Sequence, residues 1–120
     1  MPYQTFTADK PRTAKTDETF ESAADLFRVM SAPVRLKIIN CLCDGEKNVS
    51  YLLTQVNTTQ PNMSQHLNTL YQAGILGKRR EGVQIFYRVI DQRIVSICEA
   101  VCHEINRKTT SPLGEDSVAT

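Results

Sequence analysis

Apolar residues recur along this chain with two periods, and each change of period marks an element boundary. Between Asp17 and Met30, Phe20, Ala23, Ala24, Phe27 and Met30 fall at helical spacing, with Asp17 placed to cap the start. Ser31-Ala32-Pro33 breaks that helix. Pro33 then opens a second one, which runs to about Cys43, where Asp44-Gly45 supplies a stop. Val49 to Val56 reads as a third, short helix, and Asn57-Thr58 turns the chain. In the stretch Thr59 to Leu70, the spacing of Met63, Leu67 and Leu70 gives one buried stripe of a fourth helix, with Thr59 as its cap and Pro61 in its first turn. Gly74 stops it, and Ile75 to Ile90 reads as two strands around a bend at Glu81-Gly82. A fifth helix follows Asp91 and carries Ile94, Ile97, Cys98, Val101, Cys102 and Ile105 on one face. The predicted fold is mainly α, about five helices with a two-stranded β-hairpin, in which the third and fourth helices form a winged helix-turn-helix with the hairpin as wing. The domain spans 17–106; residues 1–16 read as a mobile arm and 107–120 as a flexible tail, both polar and without a period.

The polar side of the fourth helix changes the picture from fold to chemistry. Gln60, Asn62, Ser64, Gln65, His66 and Asn68 lie off the apolar stripe, and amides and a hydroxyl there suit base edges in a DNA groove better than Lys and Glu would. The plain alternative is a helical hairpin with a polar outer face. On the hairpin, Arg79, Arg80, Gln84 and Arg88 are placed to touch phosphate or the minor groove, a contact that positions without specifying sequence; a charged edge against aggregation is the alternative there. In the arm, Lys10, Arg12 and Lys15 are further candidates for phosphate, or simply solvated.

Composition adds limits. The net charge of the 120 residues is only +1, but between Gly74 and Ile90 Lys78, Arg79, Arg80 and Arg88 stand against Glu81 alone. A chain of this size buries a modest share of its surface, which makes a homodimer the expectation. No apolar run reaches membrane-spanning length and the start lacks a signal core, so the expected compartment is the cytoplasm, with no membrane partner. In a reducing compartment four cysteines are metal ligands, sensors or core residues rather than a disulfide framework. Projected at about 100° per residue, Cys43 falls inside the apolar arc of the second helix and reads as core, while Cys41 sits at its edge near Lys37 and reads as the reactive thiol. Cys98 and Cys102 are neighbours on the fifth helix, but their Cβ spacing of about 5 to 6 Å is too long for a disulfide, which needs about 4 Å.

Several motifs in order carry a resemblance: Ser31-Ala32-Pro33-Val34-Arg35-Leu36, Gln60-Pro61, Ser64-Gln65-His66-Leu67, Ala73-Gly74-Ile75-Leu76 and Arg80-Glu81-Gly82. Over about residues 20 to 105 the chain resembles the ArsR/SmtB family of bacterial winged-helix repressors. That resemblance implies a DNA-binding repressor with double-stranded operator DNA as partner, and a first helix in the dimer interface. The family's Glu-Leu-Cys-Val-Cys metal(loid) box is absent: the matching stretch is Glu46-Lys47-Asn48-Val49-Ser50, with Asn48 and Ser50 at the cysteine places. The zinc type's set at the fifth helix is absent too, since Asp91 matches but Arg93, Glu104 and Arg107 do not complete it.

The remaining thiols are similar to those of the reactive-sulfur-sensing branch, in which sulfane sulfur bridges a cysteine of the second helix and one of the fifth. The resemblance implies one sensing thiol on each of these helices and a small thiol-reactive inducer as partner. Cys41 at the edge of the second helix and Cys102 on the flank of the stripe of the fifth, where Cys98 is central, are read as the pair, with Cys43 and Cys98 the lesser candidates. The branch's first thiol would fall at Asn40, and reaching Cys102 needs a short gap. The main reading needs no cofactor. Its alternative is a metal or metalloid ion, As(III), Cd(II) or Zn(II), held by Cys41, Cys98 and Cys102, with His103 on the polar side. A thiol redox enzyme is disfavoured because the spacings are Cys-x-Cys and Cys-x-x-x-Cys rather than Cys-x-x-Cys; a protein-adaptor winged helix is the other alternative.

Overall fold

This computed structural model describes residues 16–110, and the side chains of residues 16–107. The arm with Lys10, Arg12 and Lys15, and the tail beyond residue 110, lie outside the described residues. Contacts divide the chain into two units, broken after Met30. The first holds α1 (Asp17–Met30). Its cap is one residue earlier than expected: the Thr16 hydroxyl accepts the Thr19 N–H at 3.2 Å, and Asp17 and Glu18 become first-turn acids that suit the helix dipole. Phe20 and Phe27 on this helix are 60% and 56% exposed.

The second unit contains the remaining elements. α2 (Pro33–Leu42) buries Ile38, Ile39 and Leu42; α3 (Val49–Gln55) and α4 (Gln60–Gln72) follow, each capped by a side chain. Asn48 Oδ1 accepts from Tyr51 N at 2.8 Å, and Thr59 Oγ1 from Asn62 N at 3.2 Å, so both helices start on a bonded donor. Met63, Leu67 and Leu70 are buried as their spacing predicts. Gly74, at φ +79°, ends α4 in a left-handed conformation that a side chain would strain.

The hairpin is β2 (Leu76–Glu81) against β3 (Gln84–Val89), turning at Gly82-Val83, with pairs running from Leu76↔Val89 to Glu81↔Gln84. A further strand, β1 (Lys47–Asn48), pairs with β3 through Lys47↔Tyr87 and Asn48↔Phe86 and makes a three-stranded sheet of order β1-β3-β2. The sequence reading has two strands here; two polar residues carry no period, and only their distant partner makes them a strand. α5 runs from Gln92 to Thr110, past the expected limit at Asn106. Its N-terminal half buries Ile94 and Cys98, whereas Val101 and Ile105 further along are 52% and 57% exposed. No helix among the described residues is long and apolar enough to cross a membrane.

Candidate nucleic-acid interface and thiol cleft

The stripe that seats α4 on the core turns its opposite face outward. Gln60, Asn62, Ser64, Gln65 and Asn68 are all exposed, and none of these side chains makes a hydrogen bond among the described residues. Their donors and acceptors are uncommitted, as base readout requires. His66 departs from the set. It is half-buried, with Nδ1 3.2 Å from Arg35 Nη1 on α2. A guanidinium can only donate, so Nδ1 accepts and His66 is the tautomer protonated on Nε2. The ring lies at the flank of α4, where it ties that helix to α2.

The wing separates its four cations. Strand alternation puts Arg79 on one face with Phe86 and Arg88, and Lys78 and Arg80 on the other with Tyr87. Arg79 is committed: its Nε lies 3.0 and 3.1 Å from the two Glu46 carboxylate oxygens, Nη2 is 2.6 Å from Glu46 Oε1, and Nη1 is 2.9 Å from Glu81 Oε1. Its guanidinium also stacks 4.6 Å from the Phe86 ring centroid. Hydrogen bonding to Arg79 holds the Glu46 carboxyl below its ordinary range, and the same bond, followed by that to Glu81, raises the guanidinium's pKa. This differs from the expected free phosphate contact. Lys78 lies 4.3 Å over the Tyr71 ring, and Arg88 lies across Gly77, where an added Cβ would come 3.2 Å from Arg88 Cζ. Arg80 is exposed, with no ion pair, hydrogen bond or ring contact among the described residues. Gln84 Oε1 accepts from Asn48 Nδ2 at 2.6 Å. Gln60, Ser64 and Gln84 share a concavity of about 560 Å³ with Asn48, Ser50 and Val83. Glu46 and Asn48 are absent from the sequence-derived site, because their partners lie 33 and 36 positions away and no local spacing announces them.

The thiols lie elsewhere. Cys41 and Cys102 line one cleft of about 1170 Å³ between α2 and α5, together with Lys37, Glu99 and His103. Cys41 is half-buried and Cys102 exposed. Cys43, expected in the core, is instead exposed, with Sγ donating to Ile39 O at 3.3 Å. α2 stops at Leu42, so Cys43 is a C-cap beyond the packed arc that the projection extended over it. Cys98 is the buried thiol. The cation near Cys41 is Lys47 rather than Lys37, and it does not win: burial raises the Cys41 pKa more than Lys47 lowers it. Burial also pushes Cys43 and Cys98 up, with Glu99 adding to Cys43 and Cys102 to Cys98. Of the three thiols in the metal alternative, Cys98 is buried and does not line the cleft, and among the described residues no three His, Cys, Asp or Glu side chains stand close enough together to hold an ion.

Residues 32–78, from the start of α2 into β2, match the arsR family of bacterial regulatory proteins. The transcriptional repressor SmtB of Mycobacterium tuberculosis is 35% identical over 100 residues, covering 82% of this chain and 70% of that one. The biofilm growth-associated repressor of Xylella fastidiosa is 35% identical over 97 residues, covering 78% and 85%. Among solved structures, the transcriptional repressor BigR from Xylella fastidiosa superposes with a TM-score of 0.67 at 34% identity, covering 71% of this chain and 87% of that one. With the helix-turn-helix, the outward amides of α4 and the wing already in place, these similarities establish that the chain belongs to the ArsR/SmtB family of winged helix-turn-helix transcriptional repressors, DNA-binding regulators rather than enzymes.

Proposed function

We propose that this repressor is a cytoplasmic homodimer that holds operator DNA until sulfane sulfur links Cys41 to Cys102. Gln60, Asn62, Ser64, Gln65 and Asn68 read bases, and Arg80 and Arg88 meet the backbone. Dimerisation is supported by the exposed apolar side chains of the first and last described helices, Phe20 and Phe27 on α1 and Val101 and Ile105 on α5, which isolated chains would leave in water.

The observation that carries the switch is the shared cleft. Cys41 and Cys102 line it while Cys98 is buried and Cys43 is off its wall. In the reaction, the exposed Cys102 thiolate attacks an outer sulfur of trisulfane, becoming a persulfide and expelling the hydrodisulfide anion. That anion takes up a proton to give disulfane, which the Cys41 thiolate attacks in turn, becoming a second persulfide and expelling hydrosulfide. The two persulfides condense to a Cys41–S–Cys102 trisulfide and hydrogen sulfide. Two thiols and one trisulfane thus give one trisulfide and two molecules of hydrogen sulfide, with sulfane sulfur as the oxidant. That link joins α2 to α5. In a dimer whose recognition helices address half-sites about 34 Å apart, a small change in α5 packing spoils the match. Release equals the free-energy difference between linked and unlinked states for DNA, and no more.

Cysteine variants test this. Cys41→Ser and Cys102→Ser each bind operator but resist release by polysulfide, while Cys43→Ser responds as the parent does. Normal release from Cys41→Ser contradicts the assignment, and so does loss of response in Cys98→Ser with Cys102→Ser intact. Release by As(III) or Zn(II) that needs three cysteines, with no polysulfide response, would replace it with a metal sensor.

A further inference from the structure

We infer that Arg79 is a positioning residue that fastens the wing to the segment between α2 and α3 by its fork onto Glu46, and that it contacts no phosphate. The inference rests on operator binding by α4 and the wing. Three connections converge on residues 46–48: Arg79 bonds Glu46 with contacts of 2.6 to 3.1 Å, Gln84 bonds Asn48 at 2.6 Å, and β1 pairs with β3. The same Asn48 side-chain amide caps α3 through its oxygen, so one side chain links the wing to the first helix of the helix-turn-helix. Upstream, Lys47 Nζ is held by Asp44 Oδ1 at 2.8 Å and Gly45 O at 3.2 Å, at the exit of the helix that carries Cys41. The wing is therefore strapped to the chain leaving the thiol helix.

Charge makes the same point. A two-toothed fork onto one carboxylate and a second carboxylate on Nη1 engage all three guanidinium nitrogens and three of their five N–H groups, with a ring beneath the plane. A bidentate grip on phosphate would compete with Glu46 for the same fork, and the two carboxylates beside Arg79 would repel that phosphate. Arg80, one residue away on the other face, has no such partner among the described residues.

The two roles predict different outcomes for one substitution. If Arg79 bound phosphate, removing the Glu46 charge would leave operator affinity unchanged or raise it, because an acid beside DNA repels. If Glu46 holds Arg79 in place, Glu46→Gln weakens binding. The experiment is fluorescence anisotropy of the full-length protein on a labelled duplex that the parent selects from a random-sequence pool, over a series of salt concentrations. Glu46→Gln and Arg79→Lys, which keeps the charge but not the fork, are each expected to weaken binding about threefold to tenfold. The salt slope stays at the parent's value, and the double variant is no worse than the poorer single. Unchanged or tighter binding by Glu46→Gln overturns the inference, as does a slope shallower by about 0.9 in Arg79→Ala, the loss of one phosphate contact. A parent that selects no sequence overturns the operator reading itself, a different failure from parental binding with a neutral Glu46→Gln.

Discussion

The exposed face of α4 and the wing both offer polar side chains to a DNA duplex, but they differ in what those side chains already hold. On α4, Gln60, Asn62, Ser64, Gln65 and Asn68 have no side-chain partner among the described residues. On the wing, Arg79 is bound to two carboxylates, Lys78 covers a tyrosine ring and Gln84 is bonded to Asn48; in the proposed operator complex Arg80 and Arg88 are the cations left for phosphate. The polar side chains of the hairpin are thus partly engaged within the fold. The difference follows from geometry: the side chains of the α4 face bond no neighbouring element, whereas a hairpin joined to a third strand brings Glu46, 33 positions away, beside Arg79.

The largest effect expected from this contrast lies on α4. Gln65→Ala should cost about 1 to 3 kcal/mol on the selected duplex and leave affinity for unrelated duplex nearly unchanged, as competition titrations on the two duplexes would reveal. Equal loss on both would move Gln65 from readout to backbone contact and erase the distinction. Next comes Arg80→Ala, which should weaken all duplexes alike and lower the salt slope by about one unit, with sequence preference intact. An unchanged slope would make the whole wing a brace.

The smallest effect concerns acid. Because hydrogen bonding to Arg79 keeps the Glu46 carboxyl below its ordinary range, the contribution of Glu46 to folding is fully present above the unfolded-state value and disappears as pH falls through the depressed folded-state value. The Tm difference between the parent and Glu46→Gln should therefore be constant from neutral pH down to the ordinary carboxylate range and close below it. A difference that grew in acid would mean that Glu46 is destabilising as an anion.

Helices, turns and the exposed polar face of α4 are legible because their signals are local. Thr59, Pro61, the Met63-Leu67-Leu70 stripe and Gly74 all act within a few residues of themselves, and each does in the fold what its spacing implies. The failures are cases where a partner is distant or an element stops. Helical projection puts Cys43 in the core only by extending α2 past Leu42. His66 shares the spacing of the reading face, but Arg35, 31 positions earlier, comes beside it and holds its ring. The cation expected to activate Cys41 lies one turn away on its own helix, whereas the one that reaches it, Lys47, comes from beyond the next turn, and burial outweighs it. Helical faces single out Cys41 and Cys102 one helix at a time, but whether the two share a space is not a matter of spacing; the cleft between α2 and α5 that both line is a tertiary feature.

The central claim is that a bond between those two thiols is what releases the operator. The direct measurement follows operator release by anisotropy during titration with polysulfide, while samples taken along the curve are digested and analysed by intact and peptide mass spectrometry. The released fraction is expected to track a species heavier than the parent by one sulfur and lighter by two hydrogens. Its bridged peptides should contain Cys41 and Cys102 of the same protomer, and dithiothreitol should restore both thiols and binding. Full release while Cys41 and Cys102 remain as unlinked thiols or separate persulfides would contradict it.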